Sequence, residues 1–286
     1  MLALPPLAAE QIFAIGNFPI TNTYINSSLA VIGFIIVAFF INKAAKRVYK
    51  DGSAPKGILN FFEGILEFLY KYFDQVTGDR KKSIRFLPIV GGLFFFILVS
   101  NWVGLLPGIG SIGRYLMHHG EIELIPIFRP ANTDLNMTIA MAVLAVVSSH
   151  IIGVATIGFF KYANKFIKLG DIWNAIKSGK PVNMLTAFVE FFVGFIEIFS
   201  EIAKMVSLSL RLFGNVFAGE VLLTVLASLI AFIVPIPFLA LELLVGLIQA
   251  TVFAMLTLVY LTMAAAEIHA HGEEKHSDEH AQAATH

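Results

Sequence analysis

The 286-residue sequence contains no cysteine, which excludes disulfides, thiolate metal sites and cysteine nucleophiles. Charge is scarce too. Asp, Glu, Lys and Arg make up 14% of the chain and cancel to a formal net charge of +0, against about 25% charged residues in an ordinary soluble domain. That shortage argues against a water-soluble globule, and the lack of a basic face excludes a nucleic-acid partner. No GxxxxGK[ST] loop occurs, so nothing here cradles a nucleotide phosphate. Residues 1–19 hold no Lys or Arg. A secretory signal needs a basic start, so this segment is expected to be a short external tail. What is present is apolar: 57% of residues are hydrophobic, 27 are Phe, and the mean hydropathy is +0.78.

A bilayer core is crossed by about 20 apolar helical residues. The runs 20–41, about 84–106 and about 135–160 fit that length. Pro107, Pro126 and Pro130 mark the loop between the second and third. The apolar region 184–268 is broken only at Pro235-Ile236-Pro237. At about 1.5 Å per residue its two parts would measure roughly 75 Å and 47 Å, whereas the hydrocarbon layer is about 30 Å thick. They must tilt, bend or run along the membrane. The expected fold is therefore an all-α membrane protein with five membrane helices, the last two forming a long, steeply tilted hairpin.

Residues 56–76 differ. Ile58, Phe61, Phe62, Ile65, Phe68, Leu69, Tyr72, Phe73 and Val76 recur at helical spacing, with Lys56, Glu63, Glu67, Lys71 and Asp74 on the other side. This pattern predicts an interfacial amphipathic helix, or else a helix packed within a small loop domain. The membrane domain is expected over 20–268. Residues 269–286 are polar and include His269, His271, His276, His280 and His286. They lack apolar area to offset ordering entropy, which favours a disordered cytoplasmic tail over a metal site.

Basic residues set the orientation. Ten fall in 42–85, five in 161–180 and one, Lys275, in the tail, whereas 107–133 holds only Arg114 and Arg129. Five spans with the N-terminus outside place all but these two loop arginines on the cytoplasmic side, apart from Lys204 and Arg211 within the apolar region. The loop's His118, His119, Glu121 and Glu123 could gather protons, but solvated side chains are the simpler expectation.

The informative residues are the ionisable ones at membrane depth: Glu190, Glu197, Glu201, Lys204, Arg211, Glu220 and Glu242. A charge there costs several kcal/mol unless paired or hydrated, so it usually marks an ion or substrate path. At about 100° per residue, Lys204, Glu197, Asn215, Ser207, Glu190 and Glu201 lie within about 80° of Arg211, and Glu220 lies opposite. Glu242, Gln249 and Tyr260 align within about 40° on the final segment. A hairpin centred near Pro235 would bring Glu220 level with Gln249. Two polar tracks result. One lies beside Glu190, Glu197 and Glu201 at the cytoplasmic end. The other lies beside Glu220, Glu242 and Gln249 at the external end, and Arg211 stands between the two. The structural alternative is that these charges glue helices, as Glu201 with Lys204. Arg211 fits that alternative least, because its guanidinium cannot shed its proton. His150 on the third span is open between lining the external track and hydrogen-bonded packing.

These residues also carry a resemblance. Ser207-Leu-Ser-Leu-Arg211-Leu-Phe-Gly-Asn215-Val-Phe-Ala-Gly-Glu220 resembles the signature helix of subunit a of F-type ATP synthases. Leu247-Ile-Gln249 through Tyr260-Leu261 resembles that family's final helix, and Ser100-Asn101-Trp102 through Pro107 and Pro130-Ala-Asn132-Thr-Asp134-Leu-Asn136 are similar to it as well. The similarity covers roughly residues 20–268. It implies a membrane stator without catalytic residues or cofactors, facing a rotating c-subunit ring through two unconnected aqueous half-channels. Peripheral-stalk b-type subunits, the lipid bilayer and, indirectly, the soluble F1 sector would be its partners, in a bacterial inner or plasma membrane. Arg211 would be the essential arginine flanked by Asn215 and Gln249. Glu220 and Glu242 would line the external half-channel, Glu197 and Ser207 the cytoplasmic one. Lys204 matches a basic position often seen there. Two departures stand out: Glu242 occupies a place where some members carry His, and Gly104 one where some carry Asp. The competing reading is a secondary transporter binding an anion at Arg211, but such folds usually show repeated halves, and none is found. A third reading is a scaffold whose charges serve packing alone.

Overall fold

The computed structural model describes residues 6, 9–50, 52, 54–106, 112–118, 121–167, 181–229 and 234–283. Among them, seven α-helices dominate: α1 (Asn22–Lys50), α2 (Ile58–Thr77), α3 (Arg80–Val103), α4 (Leu135–Ile157), α5 (Phe159–Ile167), α6 (Pro181–Leu229) and α7 (Pro235–Ala283). Two antiparallel hairpins join them, β1 (Gln11–Ile15) with β2 (Phe18–Thr21) and β3 (Gly113–His118) with β4 (Glu121–Pro126). Five stretches are long and apolar enough to cross a membrane: Asn22–Lys50, Arg80–Val103, Leu135–Thr156, Met184–Leu229 and Pro235–Ala265. The expected all-α membrane protein is what is found.

The chain forms two compact units. One combines Met1–Met141 with Leu208–Met255, the other Ala142–Ser207 with Leu256–His286. In the first, the segment expected as a short tail carries β1 and the first half of β2. Ile15 pairs with Phe18 across Gly16-Asn17, and Gly16 takes a φ of 62°, which suits the tight turn that matches strand twist. The second hairpin lies in the loop 107–133, and Arg114 Nη1 donates to the Ile12 carbonyl at 3.3 Å, tying the two together. The side chains of 115–124, including His118, Glu121 and Glu123, are outside the described set, as is His119 altogether.

The amphipathic helix predicted over 56–76 is α2. It ends where Gly78, at φ 65°, donates back to the Asp74 carbonyl, and Asp79 then caps α3 by accepting from Lys81 N at 2.9 Å. Leu69, Phe73 and Thr77 are buried, and Thr77 Oγ1 meets Ser83 Oγ at 2.8 Å, while Ile58, Phe61, Phe68 and Tyr72 stay exposed. The C-terminal end of α2 therefore packs on the start of α3, and the remainder keeps an apolar surface suited to a lipid interface.

In the second unit the third span stops earlier than the expected residue 160. Gly158, at φ 90°, breaks the helix after Ile157, and α5 follows. A Cβ at Gly153 would overlap the Tyr162 ring, and one at Gly194 would overlap the Phe166 carbonyl. The ring can shift. The backbone carbonyl cannot, so Gly194→Ala is expected to destabilise this unit by about 1–3 kcal/mol through overpacking. A lower melting temperature of the purified complex, set against Gly92→Ala, where a Cβ meets nothing within 4 Å, checks this. α7 runs to Ala283 and so covers most of the segment expected to be disordered. A helix already nucleated extends without the cost of a new nucleus. The side chains of 266–286 lie outside the described set.

Candidate functional site

In the first unit α6 presents an exposed stripe of Leu210, Arg211, Gly214, Asn215, Ala218 and Leu222. Leu208, Ser209, Leu212, Val216 and Gly219 are buried on its other side. The spacing is that of a helix with one face turned out, and the outward face carries a guanidinium among apolar and small residues.

Glu220 points the other way, as the helical angle predicts, into an ion pair that sequence reasoning missed. Arg129 Nε lies 3.0 and 3.2 Å from the two Glu220 carboxylate oxygens, and Nη2 lies 2.9 Å from Oε2. Nη2 also donates to the Pro6 carbonyl at 2.8 Å, and the Arg129 carbonyl accepts from Asn26 Nδ2 at 2.8 Å. The Arg129 side chain is 1% exposed. A signal existed: Arg129 is the only charged residue between Glu123 and Asp134, in the apolar run Ile125-Pro-Ile-Phe-Arg129-Pro130.

Glu242 approaches the same level. A Cβ on Gly219 would overlap its carboxylate, so the absence of a side chain at 219 makes room for it. This corrects the expected register. Glu242, rather than Gln249, stands opposite the Glu220 turn of α6. Antiparallel helices rise equally, so Gln249, seven residues beyond Glu242, falls about level with residue 212.

The Asn101 and Asn132 motifs hold α7 in that register. Asn101 Nδ2 donates to the Gly246 carbonyl at 3.3 Å and Trp102 Nε1 to the Leu243 carbonyl at 3.1 Å. Asn132 Nδ2 donates to Asn101 Oδ1 at 2.6 Å. Nearby, Thr23 Oγ1 donates to Asp134 Oδ2 at 3.1 Å. Gly104 lies against the Pro130 ring, where a Cβ would overlap it. No carboxylate could occupy that position without moving the 130–134 turn.

The second unit assembles another cluster. Lys204 Nζ donates to Glu201 Oε1 at 2.7 Å and lies 5.2 Å over the Tyr260 ring. His150 Nε2 is 3.7 Å from Glu201 Oε2, and His150 Nδ1 is 2.6 Å from the Tyr162 hydroxyl. His150 thus keeps company with Glu201 and Tyr162. Tyr260 serves as a cation–π floor for Lys204. Glu190 and Glu197 are half-buried on the same unit, and Ser207 is exposed. Among the described residues no group of three or more His, Cys, Asp or Glu could hold a metal ion.

The ATP synthase A chain family model matches residues 26–262. ATP synthase subunit a of Geobacter sulfurreducens is 31% identical over 241 residues, covering 84% of this chain and 86% of that protein. Its namesake in Moorella thermoacetica is 30% identical over 251 residues, 88% of this chain and 94% of that one. The Mycobacterium bovis protein of the same name is 32% identical over 246 residues, with 85% and 87% covered. With a family match across most of its length and five apolar helices long enough to span a bilayer, this chain belongs to the ATP synthase A chain family.

Proposed function

We propose that this chain is the non-catalytic membrane stator of an ATP synthase, offering two offset proton half-channels to a rotating ring of c subunits. The observation that carries the reading is the exposed stripe on α6, with Arg211 and Asn215 set among Leu210, Gly214, Ala218 and Leu222. A guanidinium on such a face lies where a neighbouring subunit can bring an acid to it, and a charge at membrane depth usually marks an ion path. Small residues beside it let a neighbouring helix approach closely. Glu220, Glu242 and Gln249 line the external half-channel. Glu197 and Ser207 line the cytoplasmic one, with Glu190, Glu201 and Lys204 at its wall and His150 and Tyr260 behind them. The basic-residue pattern supports an external N-terminus and a cytoplasmic C-terminus in a bacterial membrane. The peripheral stalk and the soluble sector complete the assembly.

The mechanism follows from charge. A ring carboxylate returning to lipid must be neutral, because a bare carboxylate in hydrocarbon is costly. Beside Arg211 its ionised form is stabilised by attraction, so it gives up its proton there. The same fixed cation opposes a proton crossing straight from one half-channel to the other. Each charge moving through 100 mV releases about 2.3 kcal/mol, and the offset of the two openings turns that energy into directed rotation.

The chain has no native cysteine, so single cysteines report cleanly. In native membranes Ala218→Cys is expected to cross-link to a c subunit carrying a cysteine near its carboxylate. Val216→Cys, buried on the opposite side, is expected not to. Failure of the first, or equal yield from both, would remove the support for a ring-facing stripe.

A further inference from the structure

We propose that the connection 42–85 is a docking surface for anionic phospholipid headgroups, gripping one leaflet through two basic clusters and the apolar stripe of α2. The inference goes beyond the stator reading and needs only that α1 and α3 cross the membrane. Since α2 lies between two successive crossings, the whole connection stands on one face of the bilayer. It holds ten Lys and Arg against five Asp and Glu, whereas the loop 107–133 on the other face holds two of each kind. The first cluster closes α1. Lys43, Lys46, Arg47 and Lys50 are exposed and share a sector of about 100° at about 100° per residue. Four like charges at i, i+3, i+4 and i+7 repel one another along a helix. None of them makes an ion pair among the described residues. The apolar run ends at Ile41, and residues 42–50 extend about 13 Å beyond it at about 1.5 Å each. That is enough to cross the headgroup layer, roughly 5–8 Å thick in each leaflet.

The second cluster opens α3. Asp79 caps that end, but Arg80, Lys81 and Lys82 follow it, and the first turn holds no acid. Cations oppose the positive end of a helix dipole, so this placement costs α3 stability that a nearby anion restores. Lys81, Lys82 and Arg85 fall within about 100° of one another, and none of the three is ion-paired among the described residues. α2 draws the two clusters onto one surface. Tyr49 Oη donates to Glu63 Oε1 at 3.0 Å, fixing the end of α1 on α2. Arg80 Nη1 donates to Asp74 Oδ2 at 2.7 Å, fixing α2 on the start of α3. Those contacts occupy Glu63 and Asp74, and Asp79 is spent on the cap. Between the clusters Ile58, Phe61, Phe68 and Tyr72 stay exposed, within a sector of about 80°. An apolar stripe framed by cations lies at a membrane interface and selects anionic lipid. A soluble phosphate would satisfy the cations but offer the stripe nothing, whereas a phospholipid supplies both.

The test uses the purified, assembled complex in vesicles of phosphatidylcholine mixed with phosphatidylglycerol. In parallel preparations one lipid or the other carries a photoactivatable group at headgroup depth, and label in peptides of this chain is read by mass spectrometry. Phosphatidylglycerol is expected to label 42–85 at least about fivefold more than phosphatidylcholine, the gain that one Lys or Arg brings at an anionic surface. Residues 107–133 are expected to show no preference. Added salt is expected to shrink the preference, since a shorter Debye length screens exposed charges. The combined Lys43→Gln, Lys46→Gln, Arg47→Gln, Lys50→Gln variant is expected to bring the two lipids within about twofold of each other at the α1 cluster. Lys43→Arg, Lys46→Arg, Lys50→Arg keeps the charge and is expected to keep the preference, which decides the case if the glutamine variant does not insert. Equal labelling by both lipids in the parent would mean that the basic residues serve orientation alone, and it overturns the proposal. So does a glutamine variant with undiminished preference, or a parent in which 42–85 is shielded from both lipids and cross-links to an acidic segment of another subunit. None of these readouts depends on proton pumping, so their failure leaves the stator reading standing.

Discussion

Replacing Arg211 with lysine is expected to abolish ATP-driven proton pumping while leaving the complex assembled. The substitution keeps a cation in name only. A lysine on an apolar face inside the membrane is desolvated, and desolvation favours its neutral form. It also lacks the planar fork that grips a carboxylate from two nitrogens. Two unit charges about 4 Å apart at an effective dielectric near 20 attract by about 4 kcal/mol. Losing that attraction at the step where the ring carboxylate gives up its proton corresponds to roughly a thousandfold in rate. Quenching of a pH-sensitive dye in inverted vesicles, normalised to the amount of assembled complex, measures it. Arg211 is exposed on α6, so the change creates no cavity, and a loss of pumping with normal assembly is attributable to charge.

The same variant sorts the competing roles. At a transporter's anion site a lysine would still offer one positive charge and weaken binding only in part, because the substrate reaches it through water. In a scaffold whose charges serve packing, an exposed arginine would matter little, and Arg211→Lys would pump as well as its parent. Either outcome would remove Arg211 from the centre of the mechanism.

The five spans and the amphipathic helix were legible because hydrophobic length and 3.6-residue periodicity are local properties of the chain. The opposed directions of Arg211 and Glu220 were legible for the same reason, since both lie on one helix. The partner of Glu220 was not. Arg129 lies 91 residues away, in a loop where it counted only as one basic residue among those setting orientation. Its isolation in an apolar run was the visible hint, but nothing in a single sequence says which buried acid meets it. The register of the last hairpin was misread because the Pro235-Ile-Pro237 break was taken as its centre, whereas α7 begins at Pro235. Proline fits the first turn of a helix, where its missing N–H is not needed, so Pro235 opens a helix rather than breaking one. The small hairpins were missed because strands of four to six residues carry too little periodicity to stand out beside long apolar runs.

Gly219→Ala is expected to lower coupled pumping about ten- to a hundredfold with no loss of assembled complex, since a displacement of about 1 Å at a reacting group can cost that much. The two effects separate because of what the new methyl would meet. Its three nearest neighbours are the carboxylate atoms of Glu242, the far end of a flexible side chain. The carboxylate can swing aside at little cost, and alanine in a helix interior gains about 1 kcal/mol over glycine, so the fold is held or slightly strengthened. The acid, however, leaves the place beside the Arg129–Glu220 pair that the proposed half-channel needs it to occupy. Gly219→Val should act more strongly, because a branched side chain leaves no rotamer that readmits the carboxylate. Gly92→Ala, where a Cβ meets nothing within 4 Å, provides the control in which stability rises and pumping is unchanged. Pumping by Gly219→Ala equal to that control would mean that Glu242 works equally well from a displaced position, and its contact with Gly219 would then carry no function.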